Sequence, residues 1–306
     1  MNFKFKVKFI SLLTIIAMMF VFVPFSFAAP SNNGKKLDSV VKLDKNNINP
    51  IKFNADELKM LPAQAQKFIR TSNDPLVASE ATIHVVETTK GGVSQVISSR
   101  TYDFSNSEQI KKFDKDKKAL DTDFNNGVKS FGVEPLSEDN HGGYMITGIN
   151  VSYITGTSYD NHFQLHGYWD WQTQAFVTRY DKLGLGWTNG FSSNESTQRA
   201  LGNRHYDGAS ITLNKLPYQD PNFFNKGVMW THASSYSSEG AALAQIYDNS
   251  LSDQEIGVWF EYIAPQGPTS EDGWAVDVLN AVFTYFGITL PGAYYYDSFE
   301  SVYCLP

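Results

Sequence analysis

Apolar and polar residues alternate most cleanly between positions 161 and 171. Phe163, Leu165, Trp169 and Trp171 hold odd positions, and His162, Gln164, His166, Tyr168 and Asp170 hold even ones. A period of two predicts a strand with one face on a core and the other in water. Shorter runs of the same kind predict strands at Tyr144–Thr155, Ala175–Tyr180, Leu183–Trp187, Ala209–Leu213, Val228–Ser235, Ala241–Tyr247 and Ile256–Ala264. The turn pairs Gly156-Thr157, Asp181-Lys182, Asn189-Gly190 and Asp207-Gly208 punctuate them. Short strands at this spacing predict an antiparallel β-sandwich or barrel. One helical stripe follows, with Trp274, Val278, Ala281, Val282 and Tyr285 on one face, so a C-terminal helix is expected over 274–286. Tyr294-Tyr295-Tyr296 then reads as a tail.

Ahead of this region the pattern changes. Asn54-Ala55-Asp56-Glu57 is a capping box before Leu58, Met60 and Leu61, with Pro62 interrupting the helix and Phe68 and Ile69 ending a second short turn. Ala81–Thr89 and Val93–Phe104 alternate like strands around Lys90-Gly91-Gly92, which predicts a hairpin. Ser105-Asn106-Ser107-Glu108 is a second capping box. Behind it Ile110, Phe113, Leu120 and Phe124 form a helical stripe, with Gly127 as its stop. These elements make a small α+β domain over 53–136. Residues 29–52 are rich in Asn, Lys and Asp and read as a flexible leader.

Residues 1–28 carry an address. Lys4, Lys6 and Lys8 precede an apolar run from Phe9 to Phe25, and Ser26-Phe27-Ala28-Ala29 supplies small residues for a cut after Ala28. This is the pattern of a secretory signal peptide, so the product is expected to be secreted. No later stretch is long and apolar enough to span a bilayer.

Charge then divides the remaining chain. Residues 29–136 hold 16 basic and 14 acidic residues, whereas 137–306 hold 6 basic and 18 acidic. All six Trp and fifteen of the sixteen Tyr fall in 137–306. The shift marks two units, an α+β domain or pro-segment and an acidic, aromatic-rich β-sandwich domain, whose opposite charges suit contact between them. The acidic balance argues against nucleic acid as a partner. A single cysteine, Cys304, excludes an internal disulfide framework.

Chemistry is sparse. Gly-x-Ser-x-Gly, His-Glu-x-x-His and P-loop patterns are absent. His162 and His166 lie four residues apart on a strand, about 13 Å along it, too far to share a metal ion. Asp121–Gly127 begins like a calcium loop but has Asn126 where the loop needs glycine and Gly132 where it needs glutamate. Cys304 has no basic neighbour to activate it. His141, His205 and His232 stand in unrelated polar contexts. No metal or other cofactor is expected.

The even face of 161–171 is the best ligand candidate. Gln164, His166, Tyr168 and Asp170 would offer an aromatic plane beside hydrogen-bonding groups, a combination that suits sugars. The leading expectation is therefore a non-catalytic extracellular module that binds glycan or cell-envelope material. Two alternatives stay open. One is a secreted polysaccharide hydrolase with paired carboxylates, for which Asp170 and Glu261 are weak catalytic candidates. The other is an antimicrobial or pore-forming toxin with an N-terminal pro-segment, in which 228–247 would insert as amphipathic strands. The Ser/Thr clusters at 188–197 and 234–238 read as polar loops.

Overall fold

The computed structural model of the chain describes residues 41–44, 47–88, 94–126, 141–159, 161–172, 180–187, 191–204, 210–215, 227–233, 237–248, 254–265 and 293–305. The elements in chain order are β1 (Val41–Asp44), α1 (Ala55–Met60), α2 (Ala63–Thr71), β2 (Leu76–Thr88), β3 (Ser94–Asp103) and α3 (Ser107–Asn126). Then come β4 (His141–Tyr153), β5 (Asn161–Trp171), β6 (Tyr180–Trp187), β7 (Ser192–Arg204), β8 (Ser210–Thr212) and β9 (Asn214–Lys215). Last are β10 (Gly227–Ala233), β11 (Ser237–Asp248), β12 (Gln254–Pro265) and β13 (Ala293–Leu305). The signal peptide, most of the leader and the helix expected over 274–286 lie outside the described residues.

The strands form two sheets. The smaller has the order β1-β13-β12-β6-β10-β9 and the larger β3-β2-β4-β5-β11-β7-β8. Every described ladder is antiparallel except the one between β1 and β13. The sheets share one core. Its residues are the inward positions of both, among them Leu165 and Trp169 of β5, Leu183 and Leu185 of β6, and Val258, Phe260 and Tyr262 of β12. Trp169 stacks on Phe260 across the gap, with centroids 6.4 Å apart and planes 11° apart. Each such ring contributes about 2–3 kcal/mol by leaving water.

A second core lies on the outer face of the larger sheet. Leu61 and Ala65 from the α1–α2 region and Ile110, Phe113 and Leu120 of α3 pack there on Ala81, Ile83, Tyr144, Ile146 and Tyr168. Ile110, Phe113 and Leu120 of the predicted stripe are buried. Its cap is Asn106, whose Oδ1 accepts the Glu108 N–H at 2.9 Å, so the helix begins one residue later than a box built on Ser105 would place it. The Asn54 box is present in full: Asn54 Oδ1 accepts the N–H groups of Asp56 and Glu57, and Glu57 Oε2 accepts the Asn54 N–H. Glu57 also accepts the Ser107 hydroxyl, which ties α1 to the start of α3.

Several expectations need correction. The stretch at 188–197 is not only polar loop, because β7 starts at Ser192. Its alternation was masked by an excursion: Arg199 pairs with Leu243 and Asn194 with Gln245, leaving 195–198 outside the ladder. Ser237 and Ser238, from the other Ser/Thr cluster, begin β11. The Tyr-rich tail and Cys304 belong to β13, with Cys304 opposite Gln254 and Leu43. The stretch expected as a leader contributes β1 to the same sheet. The ladder between β2 and β4 joins residues on both sides of position 136. Within 228–247, β10 lies in the smaller sheet and β11 in the larger.

Candidate functional site

The even residues of β5 do point away from the sandwich core, but much of that face is not wet. Helix α2 lies over β5 and β11. Phe68 of α2 stacks on His166, with centroids 4.3 Å apart and planes 10° apart. Asn150 Nδ2 donates to His166 Nδ1 at 3.0 Å, and the Ser79 hydroxyl donates to Asn150 Oδ1 at 2.6 Å. Burial, with Lys67 adding to it, lowers the His166 pKa to about 3. The ring is thus neutral and its Nδ1 is an acceptor. Tyr168 is fully buried, its hydroxyl 3.4 Å from the Glu80 carbonyl oxygen to which it donates. Its ring occupies the space where a Cβ on Gly148 would sit, the directly opposite residue of β4. The expectation of a solvated face at His166 and Tyr168 is therefore corrected: amphipathic helices from 63–126 bring their apolar stripes down on it.

Asp170, at the same covered end, is partly buried. It stands opposite Glu239 of β11 and Ile146 of β4. Burial pushes its carboxyl up to about 6, the Glu239 charge adds to this, and Lys117 and a hydrogen bond with Gln172 oppose it. Nearby, the Tyr144 hydroxyl donates to Asp121, and Lys117 Nζ donates to Asp121 Oδ2 at 3.0 Å. Asn203 Nδ2 donates to Glu239 Oε1 at 2.7 Å. The Tyr144–Asp121 bond fastens α3 to the sheet, and the Asn203–Glu239 bond ties β7 to β11.

Glu261 is buried as well, but elsewhere. Val258, Phe260 and Tyr262 of β12 face the common core, so Glu261 and Trp259 share the opposite, outer face of the smaller sheet. Asp170 is on the outer face of the larger sheet. Two packed sheets, spaced about 10 Å, separate them, so these carboxylates do not flank one cleft.

The other end of the β5 outer face is different. Residues His162, Gln164 and His166 pair with Tyr247, Gln245 and Leu243 of β11. Gln164, Gln245 and Tyr247 are partly exposed there; Leu243 and Arg199, level with His166, and Leu201, level with Tyr168, are partly or fully exposed farther out on β11 and β7. Tyr159, from the β4–β5 connection, stacks on Tyr247 at 4.1 Å and 24°. His162 meets both rings edge-on, at 5.2 Å from Tyr159 and 6.3 Å from Tyr247. Burial lowers the His162 pKa, against the opposing pull of Asp74 and a hydrogen bond with Gln245. The β7 excursion borders this area. Thr197 Oγ1 accepts the Gln245 N–H at 2.9 Å, filling the gap in the ladder, while its own hydroxyl donates to the Asn194 carbonyl oxygen at 2.7 Å. Bulged segments of this kind re-aim side chains beside binding sites. Tyr159 and Tyr247 were not singled out in the sequence. The parity of Gln245 and Tyr247 on β11 was the available signal.

Of the four residues expected to bind ligand, Gln164 alone lies at this open end. His166 and Tyr168 lie beneath α2, and Asp170 lies beyond them. Among the described residues no group of three or more His, Cys, Asp or Glu is placed to hold a metal ion. Among them too, no helix is long and apolar enough to cross a membrane, which says nothing of strands.

No protein-family model and no curated protein matches the chain. Among solved structures, the collagen-binding subdomain of the Enterococcus faecalis surface protein ACE overlaps it with a TM-score of 0.27 and 8% identity, covering 49% of this chain and 90% of that one. The T6 backbone pilin of serotype M6 Streptococcus pyogenes gives 0.31 and 7%, covering 74% and 61%. AvmM, which catalyses macrocyclization in alchivemycin A biosynthesis, gives 0.25 and 5%, covering 50% and 88%. At this level of overlap the likeness carries nothing about function.

Proposed function

We propose that the protein is a secreted, non-catalytic binding module that takes glycan or cell-envelope material on the outer face of its larger sheet. One observation carries the reading: the Tyr159–Tyr247 pair stands beside the Gln164 and Gln245 amides at a partly open surface. Flat ring faces beside amide donors and acceptors match a sugar, whose ring stacks and whose hydroxyls pair. Gln164 contacts the ligand in this reading. His166 and Tyr168 support the platform from below, and Asp170, at the covered end, stands apart from the ligand in this reading. The signal-peptide pattern of residues 1–28 supports export.

The hydrolase alternative has less support, because Asp170 and Glu261 face opposite ways. The test is retention of the protein on insoluble polysaccharides and purified cell walls, with soluble sugar release assayed in the same tubes. Retention without release is the expected result. Release would make it a hydrolase, and neither retention nor release would sink the glycan reading and leave dye leakage from liposomes as the next measurement.

A further inference from the structure

We propose that Ser152 and His162 form the floor of a subsite for one neutral sugar ring, walled by Tyr159 and Tyr247. The inference rests on the binding-module reading and names the ligand class of its site. Ser152 is 0% exposed and His162 is 8% exposed, and neither Ser152 Oγ nor His162 Nδ1 has a hydrogen-bond partner among the described residues. Ser152 stands opposite Gln164 in the β4–β5 ladder, and His162 is two residues from Gln164. The two are therefore diagonal neighbours on one face, about 7–8 Å apart.

A buried hydroxyl and a buried imidazole nitrogen without partners weaken a fold. Native proteins keep such groups where a ligand or water completes them. The hydroxyl can donate or accept, and Nδ1 of the neutral imidazole is a donor or an acceptor according to the tautomer, so each suits a sugar hydroxyl. Tyr159 closes the floor from above through its contacts with His162 and Tyr247. It ends the exposed 155–158 segment, where Gly156 adopts a φ of 73° that favours glycine. Turning Tyr159 away from Tyr247 uncovers His162 and leaves a free ring face for a sugar. The described charges nearby balance, which favours a neutral ligand: Asp74, which acts on His162, and Glu195 on the β7 excursion stand against Lys67 of α2 and Arg199 of β7. A carboxylate or phosphate ligand calls for clustered Arg or Lys donors instead.

The experiment uses the full chain on the matrix that retains it, with cellohexaose, N-acetylchitohexaose and mannohexaose as neutral competitors and hexagalacturonate as the anionic one. At least one neutral competitor is expected to release the protein. Ser152→Ala is expected to weaken retention at least five-fold while its thermal midpoint stays level or rises, since it deletes a hydroxyl that the fold leaves unpaired. Tyr159→Ala is expected to weaken competition by the same sugar. The proposal is overturned if Ser152→Ala is retained like the parent, if its midpoint falls by several degrees, or if no neutral sugar competes. Retention of the parent with any of these results removes the subsite alone. A parent that no matrix retains removes the binding-module reading itself.

Discussion

The two ends of the β5 outer face use similar residue types to opposite effect. At the covered end His166 is stacked on Phe68 and accepts from Asn150, and Tyr168 fills the space above Gly148. At the open end neither His162 Nδ1 nor Oγ of Ser152 beside it has a hydrogen-bond partner among the described residues. A third buried histidine, His84 of β2, is hydrogen-bonded at both ring nitrogens, 2.9 Å from Ser99 Oγ and 2.9 Å from Thr147 Oγ1. Polar groups completed within the fold hold strands and helices in place. Polar groups left incomplete at a partly exposed aromatic pair point to what comes from outside.

The largest effect should come from removing residues 29–136. That deletion strips β2 from β4 and α2 from the His166 face, exposing a ladder edge and an apolar surface together. The fragment 137–306 is expected to be insoluble or to lack a cooperative unfolding transition. A soluble fragment with native near-ultraviolet circular dichroism would show that the covered end needs no cover. Next in size is Phe68→Ala, which opens a cavity over His166. It should cost about 3–4 kcal/mol in urea unfolding, whereas a loss below 1 kcal/mol would mean the stack bears little weight.

The pH dependence separates two groups of the covered end. Burial holds the His166 pKa near 3 against an ordinary 6.5, so its contribution is full above 6.5 and is lost as pH falls toward 3. Asp170 runs the other way. Its native pKa of about 6 lies above the ordinary 3.8, so the native state binds the extra proton and this contribution is lost as pH rises from about 4 to about 6. The two slopes oppose each other between pH 4 and pH 6. Asp170→Asn removes the falling one, and its stability should climb more steeply with pH than the parent's, by about 1–3 kcal/mol over that window. Urea unfolding at pH 4 and pH 6.5 reads the difference, and parallel curves would count against the burial of the Asp170 carboxyl. The smallest effect on stability belongs to the open end. Gln164→Ala should change it by no more than about 0.5 kcal/mol while reducing retention on the binding matrix several-fold. Unchanged retention would move the ligand away from β5.

Part of this was legible in the residues. The bounds of β5, the capping box at Asn54 and the buried stripe of α3 follow from local periodicity, which a strand or helix imposes on its own sequence. β7 was less legible, because Ser, Asn and Gln at a half-covered edge do not alternate and residues 195–198 leave the ladder. β13 looks like a tail in the sequence because its partners are far away along the chain: Val41–Asp44 on one side and Gln254–Pro265 on the other.

The sequence by itself determined that β5 has a core face and a second, more polar face. Only the tertiary structure decided that this second face is dry at His166 and Tyr168 and partly open at Gln164. It also brought Tyr247 beside His162 and left the Ser152 hydroxyl without a partner among the described residues. Alternation records which residues avoid water, and it is written within a few neighbouring positions. Whether a helix then covers the other face depends on packing between segments as distant as 63–71 and 161–171, where no local pattern carries the information.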